Sequence, residues 1–326
     1  HRPLLWEQLH KRGASQNFID VLQALFDHNV SHVAVNDRET GEVAHISGLL
    51  QGSILSPTLY SIFIDDLPKR LALLGRPGQA QVPVAAYLYA DDIALVADNV
   101  EHLQHMLNVC EAHAKEHGYR FAPAKCIHVG AKPGETVHLQ HEPLPKSEMF
   151  PYLGVPFSIK GIDYGAHAEQ NAETFTKSLH LFRAFGLHGN GLPLETSRHA
   201  YVTFLRPILE YGLPLLCNVK ARARLQACQN MALRFMLSAP RGTSTALMHD
   251  LFNIPLVDTR FEVLRAKWLR RVHCAPPSCL VYHAQVEYKK KAVGASTLHH
   301  KAKTKLPRVS RHADDFDKQL GEFIKA

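Results

Sequence analysis

Two adjacent carboxylates, Asp91 and Asp92, stand between two apolar runs, Val84 to Ala90 and Ile93 to Ala97. Like charges side by side repel, so placing them at the tip of an apolar hairpin lowers stability unless a divalent cation is held there. The cations suited to carboxylate oxygens are Mg²⁺ or Mn²⁺. Two such ions about 3.5–4 Å apart activate an attacking hydroxyl and hold a transferring phosphate, the chemistry of nucleotidyl transfer. Successive strand side chains point to opposite faces, so Asp91 is expected to be the chief ligand and Asp92 the lesser.

Four other stretches carry polar chemistry. In Gly48-Leu49-Leu50-Gln51-Gly52-Ser53-Ile54-Leu55-Ser56-Pro57 the glycines allow close approach of backbone to a ligand, and the Gln51 amide can hydrogen-bond a sugar or base. Lys125 lies in Ala124-Lys125-Cys126, and Tyr152-Leu153-Gly154-Val155 follows it; alone, these read as a solvated charge and as core. His113 and His117 have a spacing that can hold zinc on a helix. No third ligand is near in sequence, so they are read as a solvated helix face.

The elements that must position these residues follow from periodicity. Residues 4–11 and 17–28 read as helices, the second with Ile19, Leu22, Leu25 and Phe26 on one face. Residues 32–46 read as a β-hairpin turning over Asn36 to Gly41. Ser56 suits a helix N-cap and Pro57 the first helical position, with Pro68 as the stop. Residues 75–83 read as a loop. Asp91-Asp92 reads as the two-residue junction of a hairpin. Asp98 or Asn99 should cap a helix that Gly118 ends. Short strands are expected around Lys125 to Val129 and Tyr152 to Phe157, and from about Ala166 long helices dominate.

Composition is that of a globular chain, with 46% hydrophobic and 21% charged residues. The net charge of +7 and pI near 9.1 favour polyanionic partners. Between Gln285 and Ala326 ten Lys/Arg stand against five Asp/Glu, which places +5 of that surplus in one polar tail expected to be disordered. No apolar run reaches the roughly 18–20 residues of a membrane span. The six cysteines (110, 126, 217, 228, 274 and 279) form no CxxC pair, and the N-terminus has no basic-then-apolar leader. Free thiols and an intracellular site, nucleus or cytoplasm rather than secretion, are expected.

Tyr87-Leu88-Tyr89-Ala90-Asp91-Asp92-Ile93-Ala94-Leu95-Val96 resembles the aromatic-x-Asp-Asp hairpin of reverse transcriptases. Gly48 to Pro57 resembles the family's Gly-x-x-Gln-Gly-Ser-x-Leu-Ser-Pro block, with Leu50 where many members place proline or arginine. Ala124-Lys125-Cys126 resembles its lysine strand beside the triphosphate, and Tyr152 to Val155 its primer grip. Leu205 to Gly212, Gln226 to Arg234 and Leu251 to Leu256 resemble the thumb of non-LTR, LINE-type elements rather than that of group II intron maturases.

The resemblance covers about residues 1–275. It implies an α+β fold: a right-hand polymerase palm with an antiparallel sheet and packed helices, then an all-helical thumb. Residues 1–160 would be partial fingers and palm, 161–275 thumb, and 276–326 basic tail. It implies an RNA-directed DNA polymerase acting on an RNA template, a DNA primer and dNTPs, with no membrane partner. Asp91 and Asp92 would hold Mg²⁺ or Mn²⁺. Gln51, Gly52, Tyr89 and Lys125 would form the nucleotide site, with Lys125 neutralising the triphosphate or donating a proton. Tyr152, Leu153, Gly154 and Val155 would position the primer.

The family's first metal-binding aspartate lies in a strand before the helix that Arg2-Pro3-Leu4-Leu5-Trp6 opens, and so would precede His1; Asp20 and Asp27 fall inside a predicted helix. The chain therefore reads as N-terminally cut, without endonuclease and most of the fingers, and is expected to be inactive alone. Two other readings stay open: a decayed or domesticated fragment that only binds nucleic acid, and a structural remnant.

Overall fold

The computed structural model describes residues 1–27, 29–36, 38–74 and 86–276. It divides into two compact units, His1–Leu153 and the chain from Gly154 onward. The basic tail lies outside the described residues, as does the expected loop at 75–83.

The first unit opens with α1 (Arg2–Lys11) and α2 (Gln16–Asp27). Leu5, Trp6 and Leu9 of α1 meet Ile19, Leu22 and Phe26 of α2 in a buried cluster that Leu49 and Leu50 also join. The expected hairpin forms as two nested antiparallel ladders. The outer one pairs β1 (Val30–Ser31) with β4 (Val43–Ala44); the inner one pairs β2 (Ala34–Val35) with β3 (Arg38–Glu39).

Helix α3 (Ser56–Ile64) begins one residue earlier than Ser56 as cap would require. The Ser56 hydroxyl instead donates to the Leu50 carbonyl at 2.7 Å, tying the glycine block to the helix. Pro68 does not end this helix. It lies in the first turn of α4 (Asp66–Leu73), where a missing N–H leaves no helical bond unmade.

Strands β5 (Ala86–Tyr89) and β6 (Asp92–Leu95) pair antiparallel, with Tyr89 opposite Asp92 and Leu88 opposite Ile93. Ala86, Leu88, Ile93 and Leu95 pack on Leu67 and Leu71 of α4 and on Met106 and Cys110 of α5 (Val100–His117). Asn99 caps α5 by accepting from the His102 N–H at 2.7 Å, and Gly118 ends it at φ +70, both as the sequence indicates. The helix does not present His113 and His117 to solvent. They are 0% and 8% exposed, and their rings stack at 3.8 Å. Spacing pointed to the right helix, but only packing shows which face is covered.

Lys125 sits in a 3₁₀ turn, Pro123–Lys125, and not in a strand. Beyond it come β7 (His128–Val129), β8 (His138–Leu139), β9 (Glu142–Pro143), β10 (Lys146–Ser147) and β11 (Met149–Tyr152). β8 pairs β9 antiparallel, and β10 pairs β7 parallel. Gly130, Pro133, Gly134, Pro143 and Pro145 interrupt this stretch, and a proline cannot donate to a ladder. The expected palm sheet is thus represented, in this unit, by short two-stranded ladders.

The second unit starts with the hairpin β12 (Val155–Ser158) and β13 (Gly161–Ile162). It is otherwise helical: α6 (Tyr164–Ala184), α7 (Leu194–Ala200), α8 (Arg206–Glu210), α9 (Val219–Leu237), α10 (Thr245–Phe252) and α11 (Val257–His273). A wide π-turn, Tyr201–Leu205, joins α7 to α8 just ahead of Pro207, whose ring clashes with the ordinary carbonyl ladder. Phe175, Leu179, Tyr201, Leu205, Leu225, Leu233 and Phe252 form the centre of its core.

Candidate active site

The two-residue turn of the β5–β6 hairpin is Ala90-Asp91, not Asp91-Asp92; Asp92 is the first residue of β6. Ala90 holds φ +50 and Asp91 does not share the left-handed region. For alanine that conformation costs roughly 1–2 kcal/mol, so the flanking ladder must impose it. Directly paired residues share a sheet face, which puts Tyr87, Tyr89, Asp92 and Ala94 together, opposite the face packed on α4 and α5. Tyr87 and Tyr89 are exposed, 44% and 64%. Asp91 and Asp92 are exposed too, and among the described residues neither takes part in an ion pair. Two bare carboxylates with no competing cation suit a hard divalent metal ion. They make an incomplete set, since among the described residues no third carboxylate, imidazole or thiol joins them within 4.8 Å.

Two phenols feel the charge of these carboxylates. Burial raises the Tyr152 pKa, and the charges of Asp92 and then Tyr87 raise it further. Tyr60 on α3 is likewise raised by burial and then by Asp91. Both therefore stay protonated and able to donate. Tyr152 is among the residues singled out from the sequence; Tyr60, which feels the Asp91 charge, was not. Its only signal was an aromatic residue in the helix directly after the glycine block.

Gln51 and Gly52 are exposed, and Gly52 takes φ +86 with nothing within 4 Å of where a Cβ would stand. The open space leaves the backbone approachable, whereas a side chain at that φ would be strained. Arg2, also missed, anchors the start of this block: buried, it donates from Nε to the Gly48 carbonyl at 3.0 Å and pairs with Asp27 at 3.6 Å. Lys125 is exposed and, among the described residues, makes no ion pair. Leu153 and Gly154 take φ +50 and +72, consecutive left-handed residues in a tight turn, and Val155 is buried.

In the second unit the segments that resemble a thumb are tied together by polar bonds. Arg260 grips both Glu210 oxygens, at 2.5 and 2.8 Å. The Tyr211 carbonyl accepts from His167 and Asn171, each at 2.9 Å. Tyr201 donates to Gln229 at 2.8 Å, and Gln229 donates to the Pro255 carbonyl at 2.8 Å. The Tyr211 ring lies 3.4 Å from where a Cβ on Gly154 would stand.

Residues 3–157 match the family model "Reverse transcriptase (RNA-dependent DNA polymerase)". The matched segment is thus similar to reverse transcriptase domains and spans just under half of the chain. It is 24% identical over 273 residues to the RNA-directed DNA polymerase from mobile element jockey of Drosophila melanogaster, covering 79% of this chain and 29% of that protein. It is 27% identical over 250 residues to the Pol polyprotein from type-1 retrotransposable element R2 of Popillia japonica, covering 71% and 39%. A third relative, the probable RNA-directed DNA polymerase from transposon BS of Drosophila melanogaster, is 26% identical over 246 residues, covering 70% and 26%. The chain thus spans well under half the length of these relatives. The matched region contains the glycine block, the Asp91-Asp92 hairpin, Lys125 and the Tyr152–Val155 turn.

Proposed function

We propose that the chain contributes the palm and thumb of an RNA-directed DNA polymerase that extends a DNA primer on an RNA template. The observation that carries this is the hairpin in the matched domain, where a strained Ala90 exposes two carboxylates that make no ion pair among the described residues. Strain held at a loop tip is a recognised companion of functional sites.

In this reading Asp91 and Asp92 hold Mg²⁺ or Mn²⁺. Bound there, the cation supplies activation of the primer 3′-hydroxyl and neutralisation of the triphosphate. Gln51 and Gly52 shape the nucleotide site, with Tyr89 beside it on the Asp92 face. Lys125, an exposed ammonium, neutralises triphosphate charge or protonates the leaving group. Tyr152, Leu153, Gly154 and Val155 position the primer. The helical second unit holds the template–primer duplex. The basic tail adds phosphate contacts. The site of action is intracellular, in nucleus or cytoplasm; among the described residues no helix is long and apolar enough to cross a membrane.

Two carboxylates hold such a cation weakly, so extension by the 326-residue chain alone is expected not to exceed background. Mn²⁺ titration followed by electron paramagnetic resonance tests the site. The native chain should bind weakly and the Asp91→Ala, Asp92→Ala double variant should lose that binding. Equal binding by both would sink the assignment. Robust primer extension abolished by Asp91→Ala would keep the site and overturn the expected inactivity.

A further inference from the structure

We infer that Asp66, His113 and His117 form a second metal site, distinct from Asp91 and Asp92, which takes a transition-metal cation of the zinc class. One ligand atom from each of the three lies within 4.8 Å of the others. Asp66 comes from the first turn of α4, and the two histidines from the last turns of α5.

The hydrogen bonds of the rings decide which nitrogens are available. His117 Nδ1 lies 3.0 Å from the His113 carbonyl, which can only accept, so this nitrogen carries the proton. His117 Nε2 is therefore left with a lone pair. His113 Nδ1 lies 2.9 Å from the Tyr119 hydroxyl, while its Nε2 is buried and has no hydrogen-bond partner among the described residues. His113 is 0% exposed, so water cannot easily satisfy that nitrogen. A ring held through Nδ1 by a carbonyl or hydroxyl, with Nε2 left bare, is how ligating imidazoles are oriented. Gln8 of α1 reaches His117 Nε2 at 3.3 Å, and its own Oε1 is also buried without a partner among the described residues. An unmet imidazole nitrogen thus adjoins the Asp66 carboxylate.

The donor set selects the ion. Two imidazoles and one carboxylate suit zinc, cobalt or nickel over magnesium. Three protein ligands leave a fourth position for water or for Gln8. Two features oppose binding and set its strength. Arg70 pairs with Asp66 and with Glu116, which places a positive charge nearby. A carboxylate has two oxygens, so Asp66 can keep Arg70 and still coordinate. The rings are also within 7° of parallel. One cation cannot lie in two parallel planes, so loading must splay them slightly. Loaded, the site would clamp α4 to α5, the two helices on which the β5–β6 hairpin is packed.

The full chain, stripped with a chelator, would be titrated with Zn²⁺ in excess Mg²⁺, and Co²⁺ would report coordination by its visible absorption. One equivalent should bind, with a four-coordinate Co²⁺ spectrum and a rise in denaturation midpoint. The His113→Gln, His117→Gln double variant should lose that equivalent. Tyr119→Phe, which keeps the ring and removes only the hydroxyl, should weaken binding about 10–100-fold. An Asp91→Asn, Asp92→Asn variant should bind zinc as the native chain does. No stoichiometric uptake by the native chain, or uptake unchanged in the double variant, overturns the site. If the double variant does not fold, unchanged affinity in Tyr119→Phe overturns it.

Discussion

At the scale of single residues, positions that look alike in sequence have different physical roles. Gly52 and Gly212 both take positive φ, +86 and +69. Around Gly52 there is open space, whereas a Cβ on Gly212 would stand 2.4 Å from His167 Nε2. His167 donates to the Tyr211 carbonyl, so Gly212→Ala should both strain the backbone and displace that bond. A loss of about 2–4 kcal/mol is expected, combining a forbidden φ with a broken buried hydrogen bond; urea unfolding measures it. Cysteines divide in the same way. Burial pushes the Cys110 thiol up to about 12, and Cys228 is also raised by burial, while Cys274 is exposed. Only the thiolate reacts. Iodoacetamide at neutral pH, read by peptide mass mapping, should therefore label Cys274 and spare Cys110 and Cys228 until denaturant is added. Rapid native labelling of Cys110 would show that α5 does not pack as described.

At the scale of elements, much of the first unit was legible. Helices α1 and α2 form where their apolar spacing puts them, although Leu25, expected on the buried face of α2, is exposed; Asn99 and Gly118 bound α5 as capping chemistry dictates. The hairpin was legible as a hairpin but not in its register. Asp-Asp looked like the turn because it is the polar pair, yet the ladder pairs Tyr89 with Asp92 and forces Ala90 into the turn. In the observed register Leu88 and Ile93 pair directly and pack together on α4 and α5, and that burial outweighs the turn preference. The polar bonds within the helical unit were not legible, since their partners are far apart in sequence. Tyr201, at 0% exposure, donates to Gln229, at 1%. Tyr201→Phe should leave a buried amide oxygen unmet and cost about 1–3 kcal/mol. Equal denaturation midpoints for native and variant chains would show that water reaches Gln229.

At the scale of the whole molecule, charge is unevenly distributed. From Gln285 to Ala326, ten Lys/Arg against five Asp/Glu give the tail a net +5 of the total +7. Lys289, Lys290, Lys291, Lys301, Lys303, Lys305, Arg308 and Arg311 are spaced through a stretch of little apolar content. Such a segment can follow a phosphate backbone and release counterions. Single-stranded RNA binding by the full chain should fall with salt at a slope of about −0.7 per phosphate neutralised. A chain ending at Pro277 should bind more weakly and with a shallower slope. Identical affinity and slope for the two chains would assign all binding to the folded units.

Sequence alone determined the chemistry on offer and the order in which it is presented: a glycine block, an Asp-Asp hairpin, a lysine, a tight turn and then helices. These are local properties, written in residue type, spacing and caps. Tertiary structure decided which of them meet. It put Tyr60 within the field of Asp91 and Tyr152 within that of Asp92, fixed the glycine block through Arg2, and turned His113 and His117 inward to Asp66. Each of these depends on which helix face is covered, and that is set by packing partners many residues away, where apolar burial outweighs the local preference of a histidine or an aspartate for water.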